Sequence, residues 1–420
     1  MRRLSLAMAV LFAALTTPTQ AQGPGSAGVL FLLIQPSVRA NSMGGASVTA
    51  LENDALAIAF NPAHLGLAAR NHLFTAEFYP AAVQWLPQLA SDLTYDVKVF
   101  YAGYDFRNLN PKLPLSAGVA YSRVAVDLGT QVITDETSPD PLGTFEASEN
   151  SDAMTLAAGI DLPVKIGLGW SIKWIDSNLS PLQEEKASAT AHDLGVKVLW
   201  PVFETFSHAG VVRIGENAAL RPTIVPSLAY SKSNIGGEIS YIDAAQADPL
   251  PRVARVAVGL NAGVEAAKGD LHWRLVNWEW TRENEQLLVR HDDQHNVSYA
   301  SFLGDIKFWK NTVLGEYGAE IISKRGWELN FFELFALRRG THEDPLSRVR
   351  YDSKGFSIGL SGAMKALGFV YADVQSNKVW QQLYRHFNLT YSQAEWDLAA
   401  GHPFAGTKFK SLRIELKPGP

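Results

Sequence analysis

The sequence predicts an all-β protein: a transmembrane, antiparallel outer-membrane β-barrel of about 14 strands, with an N-terminal plug segment that contains a short helix. Three observations lead to this class. Short segments alternate apolar and polar residues along most of the chain. Short turns alternate with longer polar connections, and the chain opens on an export signal. Together they predict strands that cross a membrane rather than helices that do so.

The alternation has the period of a β-strand, in which successive side chains face opposite sides. It is sharpest over 165–174, where Ile166, Leu168, Trp170 and Ile172 share one face with Trp174. The residues between them are lysine, glycine and serine. The same pattern recurs over 95–101, 115–122, 193–200, 255–261, 271–275, 356–361 and 411–416.

Aromatic residues lie toward the ends of these apolar faces, as in the interfacial girdles of outer-membrane barrels. The faces predicted to touch lipid carry Tyr95, Tyr101, Trp170, Trp174, Trp200, Trp273, Trp278 and Trp280. A charge facing mid-bilayer costs about 2–4 kcal/mol. We therefore expect the charged residues of the strands to point inward or to lie at a rim: Lys98, Lys165, Lys173, Arg255 and Arg274.

The connections predict two different rims. Short turns, including one at Lys365-Ala366 between two strands, alternate with long loops over Thr134 to Asp152, Asn178 to Ala191, Arg282 to His295 and Arg339 to Lys354. Outer-membrane barrels have short turns on one side and long loops on the other. Soluble sandwiches and propellers also alternate, and they remain the alternative at this stage.

The N-terminus predicts export. Arg2 and Arg3 precede an apolar stretch from Leu4 to Thr16, and a small-residue site ends at Ala21, so residues 1–21 form a signal peptide. The apolar stretch is too short for the roughly 20 residues that span a bilayer as a helix. The predicted location is the bacterial outer membrane, with outer-membrane lipid as a partner.

Residues 22–70 depart from the strand pattern and predict a plug or hatch segment, followed by the barrel over 71–420. The run from Arg39 to Ser47 is rich in small residues that let backbones approach closely. A short helix is expected over Ala55 to Phe60, ended by Asn61-Pro62. A compact apolar segment before a barrel would plug its lumen.

Composition excludes several functions. The net charge of −5 provides no basic field for a nucleic acid, and there is no cysteine for a disulfide, thiolate site or Cys nucleophile. The string from Gly355 to Gly359 matches a nucleophile elbow around Ser357, but it continues a strand. His291, Asp292 and His295 are expected in a solvated loop rather than at a metal, and nothing shows that His192-Asp193 or Ser207-His208 meet. We expect no enzyme, no cofactor and no metal.

One stretch resembles a known family. The phrase from Phe31 to Ala50, continued by Asn53-Asp54-Ala55 and Asn61-Pro62-Ala63, is similar to the opening of the PorV/PorQ family, itself similar to FadL-type outer-membrane proteins. Segments around 248–259 and 318–359 are also compatible. The chain ends at Leu416-Lys-Pro-Gly-Pro420 without the terminal aromatic of many barrels, which puts its C-terminal boundary in question.

The resemblance implies two functions. PorV-like proteins work with the type IX secretion system, so the first hypothesis is a partner that binds the C-terminal domains of secreted cargo and other secretion-system subunits. FadL-like proteins move hydrophobic small molecules, so the alternative is a conduit, with Val29 to Ile34 and Ala55 to Phe60 lining a pocket. In either case the plug motif, structural or ligand-gating, comprises Met43, Gly44, Gly45, Asp54, Asn61 and Pro62.

Overall fold

A computed structural model gives the fold of most of the chain. It describes residues 27–49, 54–71, 73–90, 92–133, 142–179, 186–205, 211–214, 218–241, 247–268, 271–292, 296–371 and 377–417. The predicted signal peptide and the Ser207-His208 pair lie outside these residues.

The described residues form a barrel of fourteen long strands, numbered β1 to β14 in chain order. They are Phe74–Phe78, Thr94–Asp105, Leu115–Ile133, Gly143–Asp161, Lys165–Asn178, Ala187–Leu199, Ala218–Gly236, Val253–Lys268, Leu271–Leu287, Ile322–Phe331, Phe335–Asp344, Val349–Gly359, Phe387–Asp397 and Lys408–Leu416. Short strands occupy Val83–Gln84, Val212–Ile214, Glu238–Ile239, Asp248–Pro249, Val289–His291 and Val297–Tyr299.

The sheet closes on itself. Each strand is antiparallel to the next, and β1 pairs with both β2 and β14, with Phe74 opposite Ala102 on one side and Leu416 on the other. Closure satisfies the strand backbones without leaving a long free edge. The predicted strand number and antiparallel barrel class are confirmed.

The outer wall is apolar. On β4 and β5, Leu156, Leu168 and Trp170 are exposed, whereas Thr155 and Ser171 on the inward face are buried and hydrogen-bonded to each other at 2.7 Å. A closed antiparallel wall with this outward face is the form in which strands cross an outer membrane. The chain is a transmembrane barrel of the bacterial outer membrane.

Three predicted lipid-facing aromatics are inward or covered instead. Tyr95 and Tyr101 are buried and point into the lumen with Val97 and Val99. Trp273 is covered by Phe332, to whose carbonyl it donates a 2.8 Å hydrogen bond. Alternation separates two faces but does not say which of them meets lipid. The N-terminal segment fills this part of the lumen with apolar groups, so the apolar face of β2 faces inward and packs against them.

The charged residues follow the prediction with one exception. Lys173 and Arg255 are buried in the lumen, and Lys165 and Arg274 lie near the ends of their strands. Lys98 is the exception, because Val97 and Val99 on either side face inward and the lysine therefore faces outward.

The two rims differ, although less simply than the sequence predicts. One rim, called here the turn rim, carries the tight connections from Asp161 to Lys165 and from Phe331 to Phe335. The paired ends of β1 and β14, Phe74 and Leu416, also lie at this rim. Strands extend into all four predicted long loops: β4 starts at Gly143, β6 at Ala187, β9 continues to Leu287, and β11 and β12 form a hairpin across 339–354. The opposite rim is called the loop rim.

A further correction concerns Lys365-Ala366. These residues lie inside a helix, Leu360–Val370, and not in a turn between strands. A further helix, Lys378–His386, follows before β13, so the connection from β12 is a pair of helices at the turn rim. Glycine-rich, small-residue sequence around Gly359 does not distinguish a turn from a helix start.

The remaining helices are short. They are 3₁₀-helices at Leu30–Leu33, Ala55–Ala59 and Phe106–Asn108, α-helices at Val38–Asn41, Ala63–Ala68 and Val202–Thr205, and a π-helix at Phe308–Leu314. Among the described helices, none combines the length and hydropathy needed to cross a bilayer.

Candidate functional site

The segment before β1 fills the lumen and is called here the plug (27–49 and 54–71). Two of its four short helices, Val38–Asn41 and Ala55–Ala59, start on a side-chain cap. The Ser37 hydroxyl accepts from Ala40 N at 2.9 Å and Asp54 Oδ1 accepts from Ala57 N at 3.2 Å. The two caps are joined, because the Ser37 hydroxyl also donates to Asp54 Oδ2 at 2.5 Å. A pair of capped turns is thereby linked into one unit.

The Met43-Gly44-Gly45 part of the predicted motif lies against the wall. Gly44 and Gly45 have φ of 72° and 87°, a region that favours glycine. Gly44 N donates to the Ser353 hydroxyl at 2.8 Å. A Cβ on Gly326 of β10 would lie 2.5 Å from Met43, closer than carbon atoms can approach. The wall carries a glycine where the plug backbone touches it.

Asn61 and Pro62 lie between two plug helices. The 3₁₀-helix ends at Ala59, as the sequence predicts within one residue, and a second helix, Ala63–Ala68, begins directly after Pro62. Asn61 Oδ1 accepts from Ala63 N at 3.0 Å and its amide donates to Val48 O at 3.1 Å. A Cβ on Gly195 or Gly169 would clash with Asn61 or Pro62 respectively, so here too the wall accommodates the plug with glycines.

Buried ion pairs hold the plug to the strands. The Arg39 guanidinium lies 3.0 Å from Glu279 Oε2 on β9 and 2.8 Å from Glu328 Oε2 on β10, and all three side chains are at most 5% exposed. Arg338 of β11 also pairs with Glu328 and donates to the Ser357 hydroxyl at 2.6 Å. One plug residue thus bridges two strands through charge-assisted hydrogen bonds.

A second charged group lies beside the first. Arg255 and Lys324 both contact Glu285 Oε2, at 2.5 and 2.7 Å. The Arg255 guanidinium stacks over the Phe60 ring of the plug at 3.9 Å. Glu283 accepts from the plug amides Ser47 N and Val48 N at 2.8 and 3.0 Å. Removing these charges from water is costly, and the pairing offsets that cost.

His64 of the plug is held neutral. Burial, followed by the nearby Lys197 ammonium, lowers the pKa of His64 well below its ordinary value. Lys197 Nζ lies 3.0 Å from Nδ1, and Nε2 lies 2.9 Å from Ser47 O. Since the Ser47 carbonyl oxygen can only accept, the neutral ring carries its proton on Nε2 and Nδ1 accepts from Lys197 Nζ. The pairing therefore depends on a neutral imidazole.

The turn-rim half of the lumen is a polar cavity of ≈ 670 Å³. Eight lysine and arginine residues and five glutamates line it, among them Arg39, Arg338 and Arg413. Serine, threonine and asparagine side chains of β12 and β13 also line it, and its few apolar lining residues are Trp273, Leu334, Phe335 and Ala336. This half of the lumen suits water and polar solutes, since transferring an apolar solute into it gains nothing.

The loop-rim half is packed with apolar groups. Phe31, Leu32 and Val38 of the plug belong to one buried cluster with Tyr95, Val97 and Val99 of β2. Six aromatic rings extend that cluster toward β14, with neighbouring centroids 5.0–6.5 Å apart: Tyr79, Trp85, Tyr95, Trp396, Phe404 and Phe409. Such spacing is typical of favourable aromatic contacts.

This aromatic cluster lies where the wall is incomplete. Strand β1 pairs with β14 only from Phe74 to Phe78, although β14 itself begins four residues beyond that pairing, at Lys408. Past Phe78 the chain reaches β2 through Tyr79 N, which donates to Val97 O at 3.0 Å, and through Val83–Gln84. At this point packed side chains close the barrel, rather than a continuous ladder of backbone hydrogen bonds. This stretch is called here the seam.

The other sequence candidates are separated by the fold. His192 stacks on Trp170 on the outer wall, whereas Asp193 points inward to Lys173 at 2.8 Å, so they do not meet. Ser357 lies within β12, where its hydroxyl accepts a hydrogen bond from Arg338 and shares another with the Ser392 hydroxyl. Residues 293–295 of the histidine-rich loop lie outside the described residues, and no group of three potential metal ligands occurs among those described.

Sequence reasoning predicted that Arg255 points inward but missed Arg39 and the two glutamates that pair with it. Arg39 was part of a small-residue run, and Glu279 and Glu328 were single acids in strands. A usable signal was present, because glutamates recur at alternate positions 279, 283 and 285 between tryptophans and polar residues. Acids on one face of a membrane strand have to point into the lumen.

Comparison with solved structures finds outer-membrane proteins at low similarity. The chain is similar to the toluene transporter TbuX of Ralstonia pickettii (11% identity, TM-score 0.39, covering 90% of this chain and 97% of that one). It is similar to the toluene transporter TodX of P. putida (10%, 0.36, 90% and 96%) and to the outer membrane protein OprD of Pseudomonas aeruginosa (6%, 0.27, 83% and 92%). Similarities this low say nothing about a shared substrate. No family model matches the chain, and no curated protein matches it.

Proposed function

We propose that the protein is a plugged, non-enzymatic outer-membrane barrel that conducts hydrophobic small molecules, in the manner of FadL-like transporters. The observation that carries the proposal is the apolar, aromatic core on the loop-rim side of the lumen, which continues to the seam beside β1. Aromatic and aliphatic linings with few polar groups are the usual environment for apolar ligands.

The polar cavity supports a sideways route. An apolar solute that reached the turn-rim half would face Arg338, Arg413 and six further cations. It gains no hydrophobic stabilisation there, whereas the seam borders the hydrocarbon core of the membrane. We therefore assign the path of the solute to the loop-rim core and the seam, with Val29 to Ile34 and Ala55 to Phe60 of the plug closing it below.

Uptake into vesicles tests the proposal. Purified barrel in phospholipid vesicles should accelerate the uptake of toluene over protein-free vesicles. Trp85→Ala removes a ring that contacts four others at the seam, so uptake should rise several-fold. Trp200→Ala, an exposed ring at the turn rim, is the matched control and should leave uptake unchanged. Uptake by wild type no faster than by empty vesicles would contradict the conduit.

A second candidate is the secretion-associated role implied by the PorV/PorQ resemblance. One observation favours it: the resembling segment is wedged against wall glycines, among them Gly326 and Gly340 at Met43, and held by Arg39. A plug so fixed suits a barrel that serves as a docking partner. Affinity purification from the native membrane should then recover secreted proteins or other secretion-system subunits. Recovery of none, together with toluene uptake, would favour the conduit.

A further inference from the structure

Four basic residues lie on the outer face of four neighbouring strands, in two rows that are one step apart. Arg282 of β9 is paired in register with Arg325 of β10, and Arg339 of β11 is paired with Lys354 of β12. Their neighbours along each strand, such as Glu283, Lys324 and Arg338, are buried in the lumen. The alternation of side chains therefore places the four basic residues on the outside. They are called here the basic ledge.

The ledge holds like charges directly opposite one another. Such cross-strand pairs are destabilising, because paired side chains lie about 5 Å apart. Arg325 and Arg339 are exposed, and neither forms an ion pair among the described residues. The nearest carboxylate in the row of Arg325 is Asp352, which accepts a 2.8 Å hydrogen bond from the Thr341 hydroxyl between them. Lys354 is 55% exposed and has Glu395 only at 3.9 Å. A bound anion would relieve the repulsion that the strand register imposes.

The rows beside the ledge become apolar in one direction only. Trp280 and Trp327 face each other one step toward the turn rim from Arg282 and Arg325, and the Arg282 guanidinium lies 5.7 Å from the Trp280 ring. Arg339 and Lys354 lie in the same row as these two tryptophans. One further step brings Trp278, Leu329 and Leu337 into register. Toward the turn rim, the outer surface thus changes from a row with two arginines, through a row with two indoles and two cations, to an apolar row. This order matches an amphiphile with an anionic head and hydrocarbon chains.

The ledge lies near the loop rim. Strand β10 starts at Ile322, so Arg325 is three residues, or about 10 Å, from its end. Long connections are on the outer side of outer-membrane barrels, and the connection from β9 to β10 spans residues 288–321. The basic residues therefore lie at the headgroup level of the outer leaflet.

Part of that connection folds back onto the outer wall. The Tyr230 hydroxyl donates to Phe302 O at 2.7 Å, and Ile306 and Ile321 pack on the outward Val256. The π-helix that follows lies beside the ledge, since Arg282 Nη1 donates to Val313 O at 3.3 Å. It carries Trp309, 70% exposed, with exposed Lys307 and Lys310 on either side. A second group of cations and an indole thus extends the ledge.

We propose that the basic ledge is a binding site for a phosphorylated lipid of the outer leaflet. The phosphate groups of the head lie among Arg282, Arg325, Arg339 and Lys354, and the acyl chains lie on the aliphatic row below. Arginine suits this task because its planar guanidinium binds phosphate oxygens in pairs. This site is independent of the lumen and of any solute that crosses it.

Native mass spectrometry of the detergent-solubilised barrel tests the site. Bisphosphorylated lipid A should bind with a defined stoichiometry, and lipid A stripped of both phosphates should bind far more weakly. The double variant R325Q/R339Q should bind the lipid about thirtyfold more weakly, because each substitution removes the contribution that one arginine near a charged lipid surface makes to the affinity. R123Q is the control, because Arg123 also faces outward but is neutralised by Asp152 at 3.0 Å, and it should bind as wild type does.

The comparison of the two lipids on the wild-type protein needs no variant, so it remains decisive even if R325Q/R339Q does not fold. Heat-shifted migration on gels verifies the folding of each variant. Equal binding of the phosphorylated and dephosphorylated lipids, or equal loss in R325Q/R339Q and R123Q, would overturn the assignment. Selective loss in the double variant alone would support it.

Discussion

Replacing Arg39 with methionine should release the plug from two strands at once. The side chain is 5% exposed, and its guanidinium contacts Glu279 at 3.0 Å and Glu328 at 2.8 Å. Breaking a buried ion pair by removing one partner costs about 3–5 kcal/mol, because the other charge stays buried without it. Arg338 still contacts Glu328, so we expect the lower part of this range for Arg39→Met.

Urea unfolding of the barrel in phospholipid vesicles, followed by tryptophan fluorescence, measures the free energy of unfolding. Arg123→Met is the control, because its pair with Asp152 is 40% and 27% exposed and should contribute about 0.2–1 kcal/mol. Adding Glu279→Gln to Arg39→Met should recover part of the loss. Equal losses below about 1 kcal/mol in Arg39→Met and Arg123→Met would refute the reasoning that these charges hold the plug.

Three further outcomes follow from the geometry. Gly340→Ala should lower the free energy of unfolding by about 1–3 kcal/mol, since its Cβ would strike Met43. Gly143→Ala would meet only the Ile133 side chain, at 3.6 Å, and should change it by less than about 0.5 kcal/mol; the same urea titration decides. The pKa of His64 is lowered in the folded state, so the unfolded state binds more protons below the ordinary pKa near 6.5. The free energy of unfolding should therefore fall as the pH falls through that value. His64→Gln should flatten this dependence in urea titrations at a series of pH values. Leu156→Arg should cost about 2–4 kcal/mol in vesicles, and Leu156→Ala clearly less; similar losses would contradict a lipid-facing position.

The sequence was enough to predict the barrel because membrane strands obey a strict rule. Backbone groups in hydrocarbon must be paired, and side chains must alternate between lipid and lumen. The segment around Leu168 and Trp170 follows that rule and is exposed as predicted. The β2 segment around Tyr95 and Val97 has the same pattern and the opposite orientation, because its inner neighbour is the apolar plug and not water.

The contacts of the plug could be predicted only in part. Small residues such as Gly44 and Gly45 indicated close packing, and Asn61-Pro62 indicated a helix end. Their partners on the wall, including Gly326 and Glu328, are more than 250 residues away along the chain. Nothing local in the sequence shows which strand faces a given plug residue. The register of a closed sheet, which fixes those pairings, is a property of the whole barrel.

The central claim is that the outward rows of the strands touch lipid while the inward rows surround the plug. The chain has no cysteine, so single cysteines at Leu156 and Thr155 can each carry a spin label without other changes. In vesicles, the label at Leu156 should be relaxed by dissolved oxygen and protected from a water-soluble nickel complex. The label at the buried position 155 should be shielded from both. Strong relaxation of the label at Leu156 by the nickel complex would contradict the account.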